Sequence, residues 1–319
     1  MGTLEGKRVL VTGGSGVIGR ELLQRLASKG ARVLSADRLP LPFAIEGAAS
    51  LQMDLADHNL KELADFDPQI IFHLAAAFER SEETPDFWPV NWHDNILLSH
   101  RMVELASKLP NLESFIFASS YLVYAPDLYL SSEYGQIRLL KESDPKAPRN
   151  LCGAAKFYTE SELQFLKTYL KPSVRVVNAR IYRVYGRGSK DVISRWVRAA
   201  LSGWKIELYN KQNKFDYIFA GEVAEGLVNL CESQKAEGAV NLASGRARAV
   251  EEVISIINRV LPGNKFEVLD TGSRQRFESS CADLSRLVEF TGWKPAVHLE
   301  TGIKLIADYE SGPKGSVIS

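Results

Sequence analysis

Thr12-Gly13-Gly14-Ser15-Gly16-Val17-Ile18-Gly19 follows the short apolar run Arg8-Val9-Leu10-Val11 and opens a stretch with apolar residues at helical spacing. This order of strand, glycine-rich turn and helix is the context that a dinucleotide-binding turn requires. Gly13 permits the tight turn, and Gly16 lets the backbone approach a pyrophosphate at the positive end of the helix. Gly19 allows the helix to pack closely on the sheet. The stretch therefore predicts a nucleotide-cofactor fold.

The residues after the next two predicted strands indicate which dinucleotide is bound. Asp37 ends the second strand, where a carboxylate accepts hydrogen bonds from the adenosine ribose and repels a 2′-phosphate, which favours NAD. The adjacent Arg38 would soften the exclusion of NADP, unless it is only a solvated side chain. Asp54-Leu55 ends the third strand and suits the adenine pocket. A helix-capping role is the other interpretation of Asp54.

The composition excludes several classes of function. The chain has 319 residues, and 39 basic residues balance 39 acidic ones, so no long-range field favours nucleic acid or an anionic membrane. No apolar run reaches membrane-spanning length, and residues 1–5 lack a signal-peptide profile, so we expect a cytoplasmic protein. Cys152, Cys231 and Cys281 are widely spaced, which predicts free thiols and no metal site.

The apolar pattern of the first half alternates between strands and helices. Strands are predicted at 33–36, 70–74, 115–118 and 174–177, and helices at 95–108 and 153–169. This alternation indicates an α/β fold with a Rossmann-type doubly wound parallel sheet. The longest irregular segment, 125–150, lies between two motifs expected to border the active site and is predicted to be a substrate loop.

Beyond about Arg180 the pattern changes, with helices predicted at 192–201, 221–231, 250–260 and 300–309. We expect residues 1–180 to form a Rossmann domain that binds NAD. Residues 181–319 should form a smaller substrate-binding domain. Elements from about 205–235 are expected to return to the first domain.

Several motifs together resemble the extended short-chain dehydrogenase/reductase family, in its branch of nucleotide-sugar epimerases and dehydratases. They are the glycine turn, the segments 73–77 and 117–124, Arg180-Ile181-Tyr182-Arg183-Val184-Tyr185-Gly186, and the tail Thr291-Gly292-Trp293-Lys294-Pro295. The resemblance implies that Leu74, Ala75 and Ala76 line the cofactor. It also places Asn91 where the family has an asparagine at the start of its next long helix.

The same resemblance implies a reacting group made of a serine or threonine, a tyrosine and a lysine. In the family the tyrosine moves the hydroxyl proton, the lysine holds the nicotinamide ribose, and the serine orients the substrate oxygen. Ser120 and Lys156 match, whereas Cys152 occupies the tyrosine position. The predicted cofactor residues are Gly13, Gly16, Val17, Ile18, Gly19, Asp37, Arg38, Asp54, Leu55, Leu74, Ala75, Ala76, Asn91 and Lys156.

Three interpretations of Cys152 remain open at the level of sequence. A thiolate near Lys156 and an oxidised nicotinamide would act as the base in place of the phenol. Alternatively, a tyrosine from elsewhere takes over the proton transfer, the candidates being Tyr121, Tyr129, Tyr134 and Tyr182. The third interpretation is that Cys152 only fills space, in a site that is naturally or deliberately impaired. His73 is interpreted as a packed histidine at a strand end.

The substrate side departs from the family pattern. Dehydratases and decarboxylases of the branch carry a carboxylate just after the serine or threonine, where this chain has Tyr121 and Leu122, which argues against both reactions. Arg183 replaces the usual asparagine and is a candidate for a diphosphate, with pairing to a nearby acid as the other interpretation. The predicted substrate-binding residues are Ser120, Tyr121, Arg183, Arg187, Lys214 and Arg276, with Arg274 a weaker candidate.

These observations favour an NAD-dependent nucleotide-sugar epimerase that acts through transient oxidation at C4 of a nucleoside diphosphate hexose. One alternative is a sugar or nucleotide-sugar dehydrogenase or reductase that exchanges its cofactor at each turnover. Another is an NAD-binding protein without catalysis. The family resemblance also implies a homodimer built on the helices at 95–108 and 153–169.

Overall fold

A computed structural model describes residues 4–78, 84–131, 137–263, 266–272 and 276–312. The strands are β1 (Arg8–Thr12), β2 (Arg32–Asp37), β3 (Ala48–Gln52), β4 (Ile70–His73), β5 (Ser114–Ser120), β6 (Leu130–Ser131), β7 (Arg138–Leu140), β8 (Arg175–Ile181), β9 (Arg183–Tyr185), β10 (Ile206–Leu208), β11 (Lys214–Phe219), β12 (Gly238–Leu242), β13 (Ala247–Ala249), β14 (Val268–Asp270) and β15 (Phe277–Ala282). The helices are α1 (Val17–Ser28), α2 (Lys61–Phe66), α3 (Phe87–Asn91), α4 (Leu98–Lys108), α5 (Leu151–Phe165), α6 (Val192–Ser202), α7 (Ala220–Glu232), α8 (Val250–Val260), α9 (Ser285–Thr291) and α10 (Leu299–Ser311). π-Helical segments at Trp92–Leu97 and Leu166–Leu170 adjoin α4 and α5.

The larger sheet has seven parallel strands in the order β12-β8-β5-β4-β1-β2-β3. The strand order reverses between β1 and β4, where Thr12 pairs with His73 at the carboxyl ends of the two strands. In doubly wound sheets the ligand binds in the crevice at this reversal. The glycine turn after β1 therefore opens into the expected binding crevice.

Helices cover both faces of this sheet, which explains the nearly continuous apolar character of its central strands. On one face, leucines of α1 and α7 pack against β1, including Leu22, Leu26 and Leu227. On the other face, α4 and α5 contribute Met102 and Leu163 to a second cluster. The reacting groups expected on α5 and β5 therefore sit on a rigid framework.

The C-terminal half builds a smaller lobe next to the carboxyl edge of the larger sheet. Its main sheet has the order β13-β11-β15-β6, with β7 also on β15 and β9 on β11. Helices α6, α8 and α10 pack around its core, where the large side chains include Tyr185, Trp196 and Phe219. Because β6 and β7 come from the first half of the chain, the two halves share this sheet.

The predicted α/β fold with a Rossmann-type sheet and a smaller C-terminal part is confirmed. Residues 205–235 were expected to return to the first domain, but two of their strands belong to the smaller lobe. There β10 pairs with β14, and β11 pairs with β9, β13 and β15. The elements that return are α7, which packs on α1, and β12, which extends the larger sheet. The exact division into domains 1–180 and 181–319 stays a prediction.

The segment 125–150 was expected to be irregular, but it contains β6 and β7. Both strands pair with β15, more than 130 residues away in the chain for each, so local sequence gives little sign of them. Residues 132–136 of this segment lie outside the described part of the chain. Among the helices that the structure describes, none has the length and apolar character needed to cross a bilayer.

Candidate active site

The glycine turn forms a cradle in which side chains would not fit. Gly13 has φ +75°, and a Cβ there would lie 2.7 Å from the backbone nitrogen of Ala75. A Cβ at Gly19 would overlap the Gly13 carbonyl oxygen, and one at Gly16 would lie 3.2 Å from the same oxygen. The first turn of α1, which begins with Val17 and Ile18, has neither a side-chain cap nor an acidic residue. Its free N–H groups suit a pyrophosphate.

A cavity of about 230 Å³ lies beside this turn. Its lining includes nine of the predicted cofactor residues, Gly13, Gly16, Asp37, Arg38, Asp54, Leu55, Leu74, Ala75 and Ala76. Ser15, Leu39, Met53, Asp94 and Leu98 complete the lining. The cavity thus joins the ends of β1, β2 and β4 to the segment after β3, as an adenosine site requires.

Asp37 is held at the mouth of this cavity by two backbone groups. Its Oδ2 accepts a hydrogen bond from Ser15 N at 3.0 Å, and its Oδ1 accepts one from Leu39 N at 2.9 Å. Arg38 points to Asp94, with Nη1 to Oδ2 at 2.7 Å. The sequence reasoning missed Asp94, because its helix is far from Asp37 in the chain.

Of the two interpretations of Asp54, the helix-capping role is wrong, because the next helix, α2, begins only at Lys61 and has Leu60 at its N-cap position. Asp54 Oδ1 accepts a hydrogen bond from Ala56 N at 2.9 Å, which fixes the turn after β3. The residue also lines the cavity together with Leu55. The turn thereby places the Asp54 carboxylate in the predicted adenine pocket.

His73 is buried between two hydroxyl groups and serves the framework of the site. Its Nδ1 lies 2.7 Å from Thr12 Oγ1, and its Nε2 lies 3.0 Å from Ser99 Oγ. Burial, with a smaller contribution from the charge of Lys156, lowers the pKa of His73 to about 3. A neutral imidazole bonded on both sides agrees with the interpretation of a packed histidine.

Asn95 holds the loop that follows β4, and Asn91, a predicted cofactor residue, supports Asn95. Its Oδ1 accepts a hydrogen bond from Ala77 N at 2.8 Å, and its Nδ2 donates to Ala77 O at 3.0 Å. Asn91 is one turn earlier and accepts a hydrogen bond from Asn95 Nδ2 at 2.8 Å. In the sequence, the spacing of four residues puts both asparagines on one helix face, and this spacing could have indicated the role of Asn95.

The segments that carry Ser120 and Cys152 pack directly on each other. Asn150 caps α5, its Oδ1 accepting a hydrogen bond from Gly153 N at 2.8 Å. A Cβ at Gly153 would lie 2.5 Å from the Leu122 carbonyl oxygen, so only glycine permits this approach. Ser120 ends β5, and its Oγ accepts a hydrogen bond from Leu122 N at 3.2 Å. Cys152 is buried, and its Sγ lies 3.7 Å from Ala77 O, on the loop that Asn95 holds.

Lys156 lies one helical turn after Cys152. Its Nζ is 4.7 Å from the centre of the Phe117 ring. Burial lowers the pKa of Lys156 to about 8, although the interaction with Cys152 opposes this shift. Lys156 and Cys152 therefore lie on one face of α5, next to the end of β5.

Three of the four tyrosines considered as substitutes for the missing phenol are buried, and burial raises the pKa of each. Tyr121 Oη donates to Glu278 Oε1 at 3.0 Å, and its pKa is raised to about 12. Tyr182 stacks on Tyr121 with ring centres 4.9 Å apart, and its pKa is also raised, as is that of Tyr129. Phenols with these pKa values are poor bases near neutral pH. Tyr134 lies outside the described residues.

The arginines expected to bind substrate already have partners in the chain. The Arg183 guanidinium stacks 3.7 Å from the centre of the Phe215 ring and lies 3.4 Å from Glu278 Oε2. Arg149, which the sequence reasoning missed, makes the closer pair with Glu278 at 2.8 Å. Of the two interpretations of Arg183, the structure shows the pairing with an acid.

The other predicted substrate residues are dispersed. Arg187 pairs with Glu21 on α1, with Nε to Oε1 at 3.2 Å. Lys214 is half-buried at the start of β11, and Arg276 is exposed just before β15, its carbonyl accepting a hydrogen bond from Asn210. Arg274 lies outside the described residues. Tyr121 and Arg183 thus meet at Glu278, whereas Arg187 is tied to the cofactor helix.

A family model for the NAD dependent epimerase/dehydratase family matches residues 9–243. The chain belongs to this family. It is an NAD-dependent enzyme of the extended short-chain dehydrogenase/reductase type, as the sequence motifs predicted. The glycine cradle, the uncapped helix and the Asp37 carboxylate fit NAD, and the cofactor prediction is confirmed.

Proteins of several activities are similar to this chain. A putative UDP-glucose 4-epimerase of Methanocaldococcus jannaschii is 25% identical, with 94% of this chain and 97% of that protein covered. The UDP-glucuronic acid decarboxylase 2 of Arabidopsis thaliana is 24% identical, with 95% of this chain and 68% of that protein covered. The solved structure of MoeE5 with UDP-glucuronic acid and NAD is 25% identical, covers 95% of this chain and 98% of its own, and has a TM-score of 0.83.

Proposed function

We propose that this protein is an NAD-dependent nucleotide-sugar epimerase that acts through transient oxidation at C4 of a nucleoside diphosphate hexose. The observation that carries the proposal is the Cys152–Lys156 pair on one face of α5, packed against the segment of Ser120. It lies beside the cofactor loop at Ala77. Relatives named as epimerases of nucleotide sugars support the substrate class.

In this proposal the protein positions the sugar and moves one proton. NAD, held by the glycine turn and Asp37, would supply the reversible hydride transfer at C4 that lets the hydrogen return to the opposite face of the sugar. Ser120 Oγ orients the C4 hydroxyl group. The Cys152 thiolate takes the hydroxyl proton as the C4–H bond breaks, and the thiol gives the proton back when the C–H bond forms again. The positive charge of Lys156 stabilises the thiolate.

The residues after Ser120 support epimerisation over dehydration or decarboxylation. Tyr121 and Leu122 are both buried, and the Tyr121 hydroxyl is bonded to Glu278. Neither residue offers the carboxylate that the resemblance leads us to expect in those reactions. With NAD as the hydride acceptor, epimerisation needs from the protein only the groups that Ser120, Cys152 and Lys156 supply.

A second candidate function is an NAD-bound protein without turnover. The observation that favours it is the position of the Cys152 thiol, which is buried and directed to Ala77 O. A buried cysteine most often only fills space. The experiment below separates this candidate from the epimerase.

The test incubates the unmodified protein, Cys152→Tyr and Cys152→Ala with UDP-glucose, UDP-glucuronic acid and a dTDP-hexose. The nicotinamide absorbance and the sugar products are followed together. We expect the unmodified protein to form a C4 epimer without net reduction of NAD, and Cys152→Ala to be at least about a hundred times slower. Net accumulation of NADH indicates a dehydrogenase instead. If only Cys152→Tyr is active, Cys152 impairs the site.

We also propose that the protein forms a homodimer through α4 and α5. On the π-helical end of α5, Phe165 and Tyr169 are 55% and 70% exposed and contact each other with ring centres 5.0 Å apart. Leu170 is 54% exposed beside them. Large exposed apolar side chains in a group are typical of an interface. Light scattering of the protein and of Tyr169→Glu tests this, with a dimer expected for the first and a monomer for the second.

A further inference from the structure

The end of β2 carries an arginine that is suited to bind a phosphate but is paired inside the protein. Arg38 directly follows Asp37, and both residues line the cavity beside the glycine turn. The Arg38 side chain is 54% exposed, whereas its partner Asp94 is 10% exposed. The distance of 2.7 Å between Nη1 and Oδ2 makes this a close ion pair.

This pairing bears on cofactor choice because NADP differs from NAD only in a 2′-phosphate on the adenosine ribose. Guanidinium groups bind phosphates through two parallel hydrogen bonds, so a free arginine at this position would attract that phosphate. Asp37 alone repels it, but an adjacent arginine would offset the repulsion. The state of Arg38 therefore decides how strongly NADP is excluded.

The surroundings of Asp94 strengthen its hold on Arg38. Asp94 Oδ1 lies 2.7 Å from His93 Nδ1, and Oδ2 faces Arg38, so both carboxylate oxygens are engaged. Ligand atoms of Asp54, His93 and Asp94 all lie within 4.8 Å of one another. Asp37 and Asp54 line the same cavity as Arg38 and Asp94. Displacement of Asp94 by a phosphate would leave a largely buried carboxylate without its cation, which is costly.

We propose that Asp94 is a specificity-determining residue for the cofactor. It holds the Arg38 guanidinium away from the ribose and thereby keeps it from a 2′-phosphate. Two carboxylates then act together, since Asp37 repels the phosphate directly and Asp94 removes the cation that would compensate. The inference concerns cofactor binding and does not depend on the proposed reaction.

The experiment measures the affinity of NAD⁺ and NADP⁺ by calorimetry, on protein from which bound nucleotide has been removed. We expect Asp94→Asn to bind NADP⁺ about ten times more tightly than the unmodified protein, the worth of one charge-assisted contact. Its affinity for NAD⁺ should change less than about threefold. The gain should vanish in the double variant Asp94→Asn with Arg38→Gln. An unchanged affinity of Asp94→Asn for NADP⁺ overturns the proposal.

Two further variants keep this outcome specific. Asp57→Asn is the matched control, because Asp57 is 67% exposed and contacts His93 Nε2 at 3.0 Å, whereas the ion pair of Arg38 is with Asp94. It should leave NADP⁺ affinity unchanged. Arg38→Gln alone should also leave NADP⁺ affinity unchanged, and its circular dichroism spectrum checks the fold, because this variant leaves the Asp94 carboxylate without its cation. A tenfold loss in Arg38→Gln would mean that Arg38 already reaches the phosphate, and the proposal would then be wrong.

Discussion

The cofactor side and the proposed substrate side of this active site lie at the same sheet edge. They differ in whether the groups that could bind an anion already have a partner within the protein. On the cofactor side Gly13, Gly16 and the start of α1 present bare backbone without acidic side chains. On the substrate side the arginines Arg149 and Arg183 are already paired with Glu278. The cofactor side therefore presents open backbone donors, whereas the guanidinium groups of the proposed substrate side have a carboxylate of their own.

Glu278 is the centre of the substrate side. Its Oε1 accepts from Tyr121 Oη at 3.0 Å and from Ser280 Oγ at 3.2 Å, and its Oε2 accepts from Arg149 at 2.8 Å. Burial opposes its ionisation, but the charges of Arg183 and Arg149 outweigh burial and keep its pKa below the ordinary value. One carboxylate on β15 thus ties together the residue after Ser120 and the residue before the cap of α5.

The largest expected effect comes from removing this carboxylate. Glu278→Ala should lower the free energy of unfolding by about 3–5 kcal/mol, because it leaves two arginines without their carboxylate in a buried cluster. Urea unfolding of the two proteins measures the difference. Asp37→Ala, on the cofactor side, is the control and should cost less than about 1 kcal/mol. A loss below about 1 kcal/mol for Glu278→Ala would show that the cluster is not held by this charge.

On the cofactor side, the affinity for NAD should depend on the shape of the glycine turn rather than on a charged side chain. Gly13→Ala places a Cβ 2.7 Å from Ala75 N at a φ of +75°, so we expect NAD affinity to fall about tenfold to a hundredfold. Gly6→Ala is the matched control, since Gly6 has φ +70° but no atom within 4 Å of the added Cβ. Calorimetry with NAD⁺ compares the two. Equal losses in both variants would point to general strain instead of a lost cradle.

Lys156 lies between the two sides, and its burial should make the stability of the folded protein depend on pH. Its folded pKa is about 8 against an ordinary value of 10.5, so the unfolded chain binds more protons between these pH values. Stability contributed by this residue therefore rises as pH increases from about 8 to 10.5. Lys156→Met should remove that rise. Denaturant unfolding at several pH values compares the slopes, and parallel curves for the two proteins would contradict the expected shift.

The difference between the two sides also explains what the sequence could predict. The cradle follows from local spacing, since Gly13, Gly16 and Gly19 stand in one turn after a strand. Asp94 and Glu278 act on residues far away in the chain, Arg38 and Tyr121, and no local pattern marks such partners. The strands β6 and β7 were missed for the same reason. Backbone motifs are readable from sequence, whereas charge partners depend on the fold.

The smallest expected effect tests a substrate residue that the sequence suggested. Arg187 pairs with Glu21 on α1, and Glu21 also binds Arg25, so Arg187→Ala should cost only about 1 kcal/mol of stability. With the epimerase substrate that the activity panel identifies, KM should stay within about twofold, because the guanidinium is engaged beside the cofactor helix. Arg183→Ala is the comparison, since Arg183 lies in the Glu278 cluster near Tyr121. A tenfold rise of KM in Arg187→Ala alone would mean that the substrate draws Arg187 away from Glu21, and the substrate side would then extend to α1.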